Sequence, residues 1–237
     1  MIELLHQIEQ IDTQIFLFFN GFHNVYWDYF MMIFSDRFVW VPFYASFIFV
    51  LLKNFPVKVV MSTIVVITLI ILFSDQTASG ILKPLVARMR PSNPDNPISP
   101  MVHVVQGYRG GRYGFPSSHA ANAWSMAFFA QYLVRRSKLT IFLCLWALIT
   151  SYSRMYLGVH YFGDILIGTL IGFLYATLYY YIFQYFLRKH TERFKPNHDI
   201  RFASVPIITG LVSIWVIICT SGILSFYSIP PTAQTHA

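Results

Sequence analysis

The chain has 237 residues, of which 56% are hydrophobic and only 11% charged, with mean hydropathy +0.53 and a net charge of +7. A soluble domain of this size needs more polar surface than that, so the composition excludes an ordinary water-soluble globule and places the chain in lipid. The basic balance then reads as membrane topology and contact with anionic lipid, and it requires no nucleic acid.

The first residues do not form a secretory signal peptide: Glu3, Glu9 and Asp12 make the start acidic, and no small-residue cleavage site follows. Ile2, Leu5, Ile8, Ile11 and Ile15 recur every three or four positions. That spacing fits a helix lying in the membrane interface and equally fits an amphipathic packing helix. Crossing about 30 Å of hydrocarbon takes roughly 20 apolar residues. Six stretches are candidates, at about 37–53, 57–80, 118–136, 139–157, 161–187 and 203–226. With no internal repeat, the expectation is one domain over 1–237: an all-α integral membrane bundle of about six transmembrane helices with an N-terminal interfacial helix.

Counting cations on alternate sides of these spans gives an orientation. Ten Lys and Arg residues fall on one side, among them Lys53, Lys58, Arg135, Arg136, Lys138, Arg188, Lys189, Arg193, Lys195 and Arg201. The other seven include those of the motifs below, and most acids also lie on that second side. The cation-rich side is expected to be cytoplasmic. The ends of the second and fourth spans and the starts of the third and fifth then share the extracytoplasmic side.

Three clusters of polar groups lie at those ends. The first holds Lys83 and Arg90, followed by Pro91. Seven residues apart, the two cations would lie on one stripe of a helix, about 10 Å apart, able to grip oxygens of a phosphate or diphosphate. Pro84 suits a first turn or a kink, Pro91 would stop the helix soon after Arg90, and Arg88 falls off the stripe and reads as an anchoring charge. In the second cluster Pro116 precedes Ser117, which can cap a helix whose free first-turn N–H groups welcome an anion. Ser118 and His119 follow, the histidine able to give or take a proton near neutral pH. The third cluster has Arg154 near the end of a span, Gly158 at a helix stop, and His160 four residues before Asp164. That spacing lets a carboxylate hold one imidazole nitrogen while the other faces a substrate, which suits a base or a nucleophile.

In order and spacing, Lys-x6-Arg-Pro, Pro-Ser-x-His and Ser-Arg-x5-His-x3-Asp resemble the motifs of the type 2 phosphatidic acid phosphatases, which share a helical core with vanadium haloperoxidases. The resemblance covers about 57–187. It implies a membrane lipid phosphatase in which His160 attacks phosphorus to form a phosphohistidine, Asp164 supports His160, and His119 protonates the departing oxygen. Lys83, Arg90, Arg154, Ser117 and Ser118 would bind the phosphate. The family most often has glycine where this chain has Ser118, so a side chain stands beside an amide that would face the phosphate. No metal or other cofactor is implied, because the cations supply the charge stabilisation and no His/Cys/Asp cluster has zinc spacing.

Between the first two clusters, about 92–115 forms a loop rich in Pro, Asn and Asp at its start and carrying Gly107, Gly110, Gly111 and Gly114. At that length it is expected to be a lid that helps choose the substrate, with Arg109 and Arg112 as solvated charges or headgroup contacts. Cys144 and Cys219 fall inside spans and argue no disulfide framework. Trp27, Trp40 and Tyr161 suit an interfacial belt. His6, His23, His103, His190, His198 and His236 show no partner in the sequence.

The function expected is hydrolysis of a lipid phosphomonoester or diphosphate on the outer face of the inner membrane of a bacterium. Polyprenyl diphosphate or a lipid A phosphate is favoured over phosphatidylglycerol phosphate or phosphatidate. A lipid-to-lipid phosphotransferase is the rival enzyme, an anionic-lipid transporter the rival from another class, and a haloperoxidase is disfavoured because those relatives are soluble. The partners expected are the bilayer and its phosphate-bearing lipid, and the sequence leaves oligomeric state open.

Overall fold

In the computed structural model, residues 2–190 and 200–228 are described, and their architecture is entirely helical apart from one isolated bridge. The helices are α1 (Ile2–Asn20), α2 (Val25–Phe34), α3 (Val41–Asn54), α4 (Val57–Asp75), α5 (Lys83–Val86), α6 (Ser118–Val134), α7 (Ser137–Tyr156), α8 (Phe162–His190) and α9 (Val205–Ser228). A 3-10 turn (Arg37–Trp40) leads into α3, and a π-helical stretch (Gln76–Leu82) joins α4 to α5.

Each of the six apolar stretches contains a helix, but the helices are not six equivalent spans. Four are long and apolar enough to cross a membrane: Val57–Val86, Ser137–Tyr156, Phe162–Leu187 and Val205–Ser228. A fifth arises if α2 and the segment Arg37–Asn54, bent by 62°, count as one. The expected third span, α6, has 17 residues and differs in kind. Ala120, Ala121, Ala123, Ala127 and Ala130 are all buried, and α6 packs against α4, α7 and α8. A helix that spends its surface on protein neighbours has no need of lipid-facing bulk.

Small residues bring α6 and α8 together. Gly168 and Gly172, four apart on α8, face α6 so closely that a Cβ at Gly168 would stand 3.1 Å from the Ala120 Cβ, and one at Gly172 would stand 2.9 Å from the Ser125 amide nitrogen. In lipid such close approach supplies the dispersion energy that hydrophobic burial supplies in water.

α1 presents Leu4, Leu5, Ile8 and Ile11 outward, each more than half exposed, as a helix in an apolar surround would. Its opposite face docks through polar groups: Asp12 Oδ1 accepts from the Gly163 amide at 2.8 Å, Phe16 is fully buried, and Asn20 donates to the Tyr156 carbonyl at 2.9 Å. Two of the three residues assigned to an interfacial belt lie inside the protein. Trp40 is 2% exposed and donates its indole N–H to the Phe34 carbonyl at 2.8 Å, and Tyr161 is 5% exposed. A buried partner for the polar tip removes the reason for either ring to reach the headgroups. Trp27 is exposed, and Cys144 and Cys219 are free. In the charge count, the side chains of Arg188 and Lys189, and residues Arg193 and Lys195, lie outside what is described, as do the side chain of His190 and residues His198 and His236.

Replacing Gly172 with Leu is expected to wedge α6 from α8 and cost about 1–3 kcal/mol by overpacking. The measurement is the thermal midpoint of the detergent-solubilised protein, expected to fall by several degrees, on the order of 2–4 °C per kcal/mol.

Candidate active site

The three clusters meet at one end of the bundle, and Asp164 is where they are tied. In the first turn of α8, with a side chain 0% exposed, its Oδ2 accepts from the Tyr161 amide at 3.0 Å and from His160 Nδ1 at 3.2 Å. Its Oδ1 accepts from Arg88 at 3.0 Å. Its backbone carbonyl accepts from the Ser117 amide at 2.9 Å, joining the second cluster to the third. His160 itself precedes α8, on the short turn after Gly158, whose φ of +75° is the left-handed stop read from the sequence.

With Nδ1–H given to Asp164, the network assigns the bare lone pair of His160 to Nε2, and Arg90 donates to that nitrogen at 3.2 Å. Burial first, and then the positive charges of Arg90, Arg154 and Lys83, hold the imidazole well below its usual value. Its folded form at neutral pH is therefore the uncharged one, with a nucleophilic nitrogen facing the cations.

Lys83 Nζ donates to Ser79 Oγ at 3.0 Å and to Ser118 Oγ at 3.4 Å. The side chain at 118, where the resembling family most often has none, is thus a ligand of the lysine. Arg154 is 3% exposed and donates to the Tyr108 hydroxyl at 3.1 Å and to Ser35 Oγ at 3.2 Å. The Nε of both Arg90 and Arg154 is buried with no hydrogen-bond acceptor. Buried donors left this way are rare and mark a place where an acceptor belongs. Ser117 caps α6, its hydroxyl accepting from the Ala120 amide at 3.4 Å, so the first-turn amides of Ser118 and His119 open toward the same space.

Lys83 and Arg90 do not share a helix. α5 ends at Val86, Ala87 adopts a left-handed conformation at φ 51°, and the chain runs on extended, with Met89 bridged to Tyr113. Pro91 therefore stops no helix. It acts one residue earlier, biasing Arg90 away from the helical region. On an extended run alternate residues share a face, and this corrects the reading of Arg88 as a mere anchor: it bonds Asp164 and, at 2.7 Å, Asp12, with its guanidinium 3.8 Å from the Tyr161 ring centre.

The 92–115 loop is folded and tied to the motif segments. The Gly114 amide donates to the Arg88 carbonyl at 2.9 Å, the Ser92 amide to the Gly158 carbonyl at 3.0 Å, and Asn96 to the Arg90 carbonyl at 3.0 Å. Arg109 bonds Ser92 and Ser99 within the loop, and Arg112 lies over the Tyr113 ring. Gly114 has no room for a side chain: a Cβ would stand 2.9 Å from Asp164 Oδ2. His103, without a partner in the sequence, bonds Asp28 at 2.8 Å and stacks on His23 at 3.7 Å. No local pattern marks Tyr108, Asp12 or this pair, since each gains its partner across the fold.

Two cavities meet at His119. One, of about 420 Å³, is mainly apolar and is lined by Phe34, Trp40, Phe47, Ile64 and Ile67 from α2 to α4, ending at Ser118 and His119. The other, of about 620 Å³, is lined by Asp36, Arg37, Gln106, Tyr108, His119 and Arg154 under the loop.

Residues 58–188 match the model of the PAP2 superfamily. A lipid A 4'-phosphatase of Bacteroides thetaiotaomicron is 45% identical over 228 residues, covering 93% of this chain and 98% of the relative. A lipid A 4'-phosphatase of Porphyromonas gingivalis is 33% identical over 182 residues, 76% of each chain. The crystal structure of Aquifex aeolicus LpxE superposes with a TM-score of 0.55 at 20% identity, covering 71% of this chain and 94% of that one, which is a likeness of fold. By the reach of the family match over the motif-bearing core, and by the identity to the Bacteroides relative, the chain belongs to the PAP2 superfamily.

Proposed function

We propose that the protein is an integral-membrane phosphatase that removes a phosphate from a lipid A-type glycolipid by way of a phosphohistidine at His160. The observation that carries this reading is a neutral histidine, braced at Nδ1 by a buried carboxylate, with Arg90 at its Nε2 and the charges of Arg154 and Lys83 close by. The relatives named as lipid A 4'-phosphatases support the substrate class over the polyprenyl diphosphate read equally from the sequence.

A phosphoryl group entering the cluster takes the donors of Arg90 away from Nε2 and fills the open Nε positions of Arg90 and Arg154. Nε2 then forms the bond to phosphorus as the ester P–O bond breaks. His119, at the junction of the two cavities, is held uncharged in the protein alone by burial and the surrounding cations; the phosphoryl charge offsets those cations, so His119 takes up a proton as substrate binds and gives it to the departing oxygen. The charge that develops on the equatorial oxygens is met by Lys83, Arg90, Arg154 and the first-turn amides of α6. Asp164 stabilises the positive imidazole ring while it carries phosphorus. In the second half His119 takes a proton from water, the oxygen attacks phosphorus, the P–N bond breaks, and phosphate leaves with His160 neutral again. The cation excess on the opposite side of the spans supports a site on the extracytoplasmic face of the inner membrane. The loop over the site, through Tyr108 on Arg154, is the segment that reads the headgroup.

The purified protein is expected to release inorganic phosphate from lipid A. A phosphorylated acceptor lipid in place of free phosphate would establish the phosphotransferase instead. Changing His160 to Ala is expected to lower kcat by at least about a thousandfold while lipid binding persists, since the nucleophile is removed but the cations stay. Changing His119 to Ala has a sharper signature. With a leaving group of low pKa, which needs no proton, the loss shrinks to a small fraction of the roughly 10²–10⁴-fold loss expected on the sugar ester. Equal losses on both substrates would remove His119 from the acid role.

A further inference from the structure

Asp75, Ser79 and Lys83 are spaced by four, and the π-helical stretch Gln76–Leu82 lies between the first and last of them. Lys83 donates to Ser79 Oγ at 3.0 Å, and the Ser79 hydroxyl donates to Asp75 Oδ1 at 3.5 Å. Asp75 also lines the apolar cavity that ends at His119. A carboxylate facing apolar space within a membrane-crossing helix is costly to keep, and an irregular turn beside it is a common mark of function.

The charges around Lys83 show what the carboxylate does. Arg90 and Arg154 repel the ammonium, while His119 and His160 face it as uncharged rings. On the far side Asp164 attracts it, but that carboxylate is already shared between Arg88 and His160. Asp75 is the carboxylate on the near side. Arg37 and Tyr44 line the same cavity, and neither has an ion pair or hydrogen bond to Asp75.

We propose that Asp75 is a positioning residue for Lys83: acting through Ser79, it aims the ammonium at Ser118 and the phosphate space and balances its charge among the arginines. This inference rests on the proposed role of Lys83 in holding phosphate. It assigns a function to the π-helical turn as well. The turn carries Lys83 round so that its nitrogen reaches both Ser79 behind and Ser118 in front.

The test is the pH dependence of kcat/KM for phosphate release by Asp75→Asn and Asp75→Glu proteins. Removing the negative charge makes the ammonium easier to deprotonate, so Asp75→Asn is expected to lose about tenfold at neutral pH and to shift the alkaline limb about one unit toward lower pH. Asp75→Glu restores the limb at least in part. In a Lys83→Arg background the Asn change no longer moves the limb, because a guanidinium does not titrate there. If that background is too slow for kinetics, protection by inorganic phosphate against thermal unfolding is followed over the same pH range. A uniform loss with an unmoved limb, or a shift that persists with Arg at 83, would overturn the proposal. Absence of phosphate release by the unaltered protein would instead overturn the proposed function.

Discussion

Everything at the reactive end of the bundle depends on one buried carboxylate whose acceptor sites are all committed. Asp164 takes the Nδ1–H of His160, the Tyr161 amide and the guanidinium of Arg88, and its own carbonyl takes the amide that begins α6. An ionised carboxylate with no water is tolerated only when it is paired and hydrogen-bonded in this way. The same bonds fix the imidazole ring, pin the extended run 88–90 beneath the loop, and set the N-terminus of α6 against the start of α8. One residue thereby makes three distant stretches of chain into one site. α1 is drawn in by the same logic, since Arg88 reaches Asp12 as well.

The complementary feature is an excess of positive charge. Arg90 donates to the free nitrogen of His160, with Arg154 and Lys83 close by, while Asp164 is shared with Arg88 and Asp75 reaches Lys83 only through Ser79. Mutual repulsion in a low-dielectric site raises the free energy of the protein alone, and an anion bound among the cations releases it. The open Nε donors of both arginines point the same way. Close packing of α6 on α8 through Gly168 and Gly172 keeps the cluster from spreading, because the helices that carry it cannot slide apart without losing backbone contact.

The motif residues were legible because their chemistry is local. Ser117 caps α6, Gly158 takes the left-handed stop, and His160 meets Asp164 four residues on, each as spacing and residue type imply. Six apolar stretches led to the expectation that the three clusters share one side; the structure brings them to one end with four helices of span length, or five if the bent α2–α3 pair counts as one. Arg90 was misplaced for an identifiable reason. The seven-residue interval to Lys83 fits a helix, and that pattern outweighed the bias of a residue before proline toward extended backbone, which in turn would have turned Arg88 inward beside it.

The sequence by itself therefore determined the solvent, the helical class, and the motif side chains that the fold brings together, because these follow from hydropathy, helix period and short-range geometry. Only the tertiary structure decided that α6 is an interior helix, that Trp40 and Tyr161 are buried, that Arg88 serves Asp164, and that Tyr108 from the loop reaches Arg154. Each of those outcomes is a contact between residues far apart along the chain. Which of many possible partners a buried polar group meets is set by how the helices pack, and no local pattern in the chain encodes that choice.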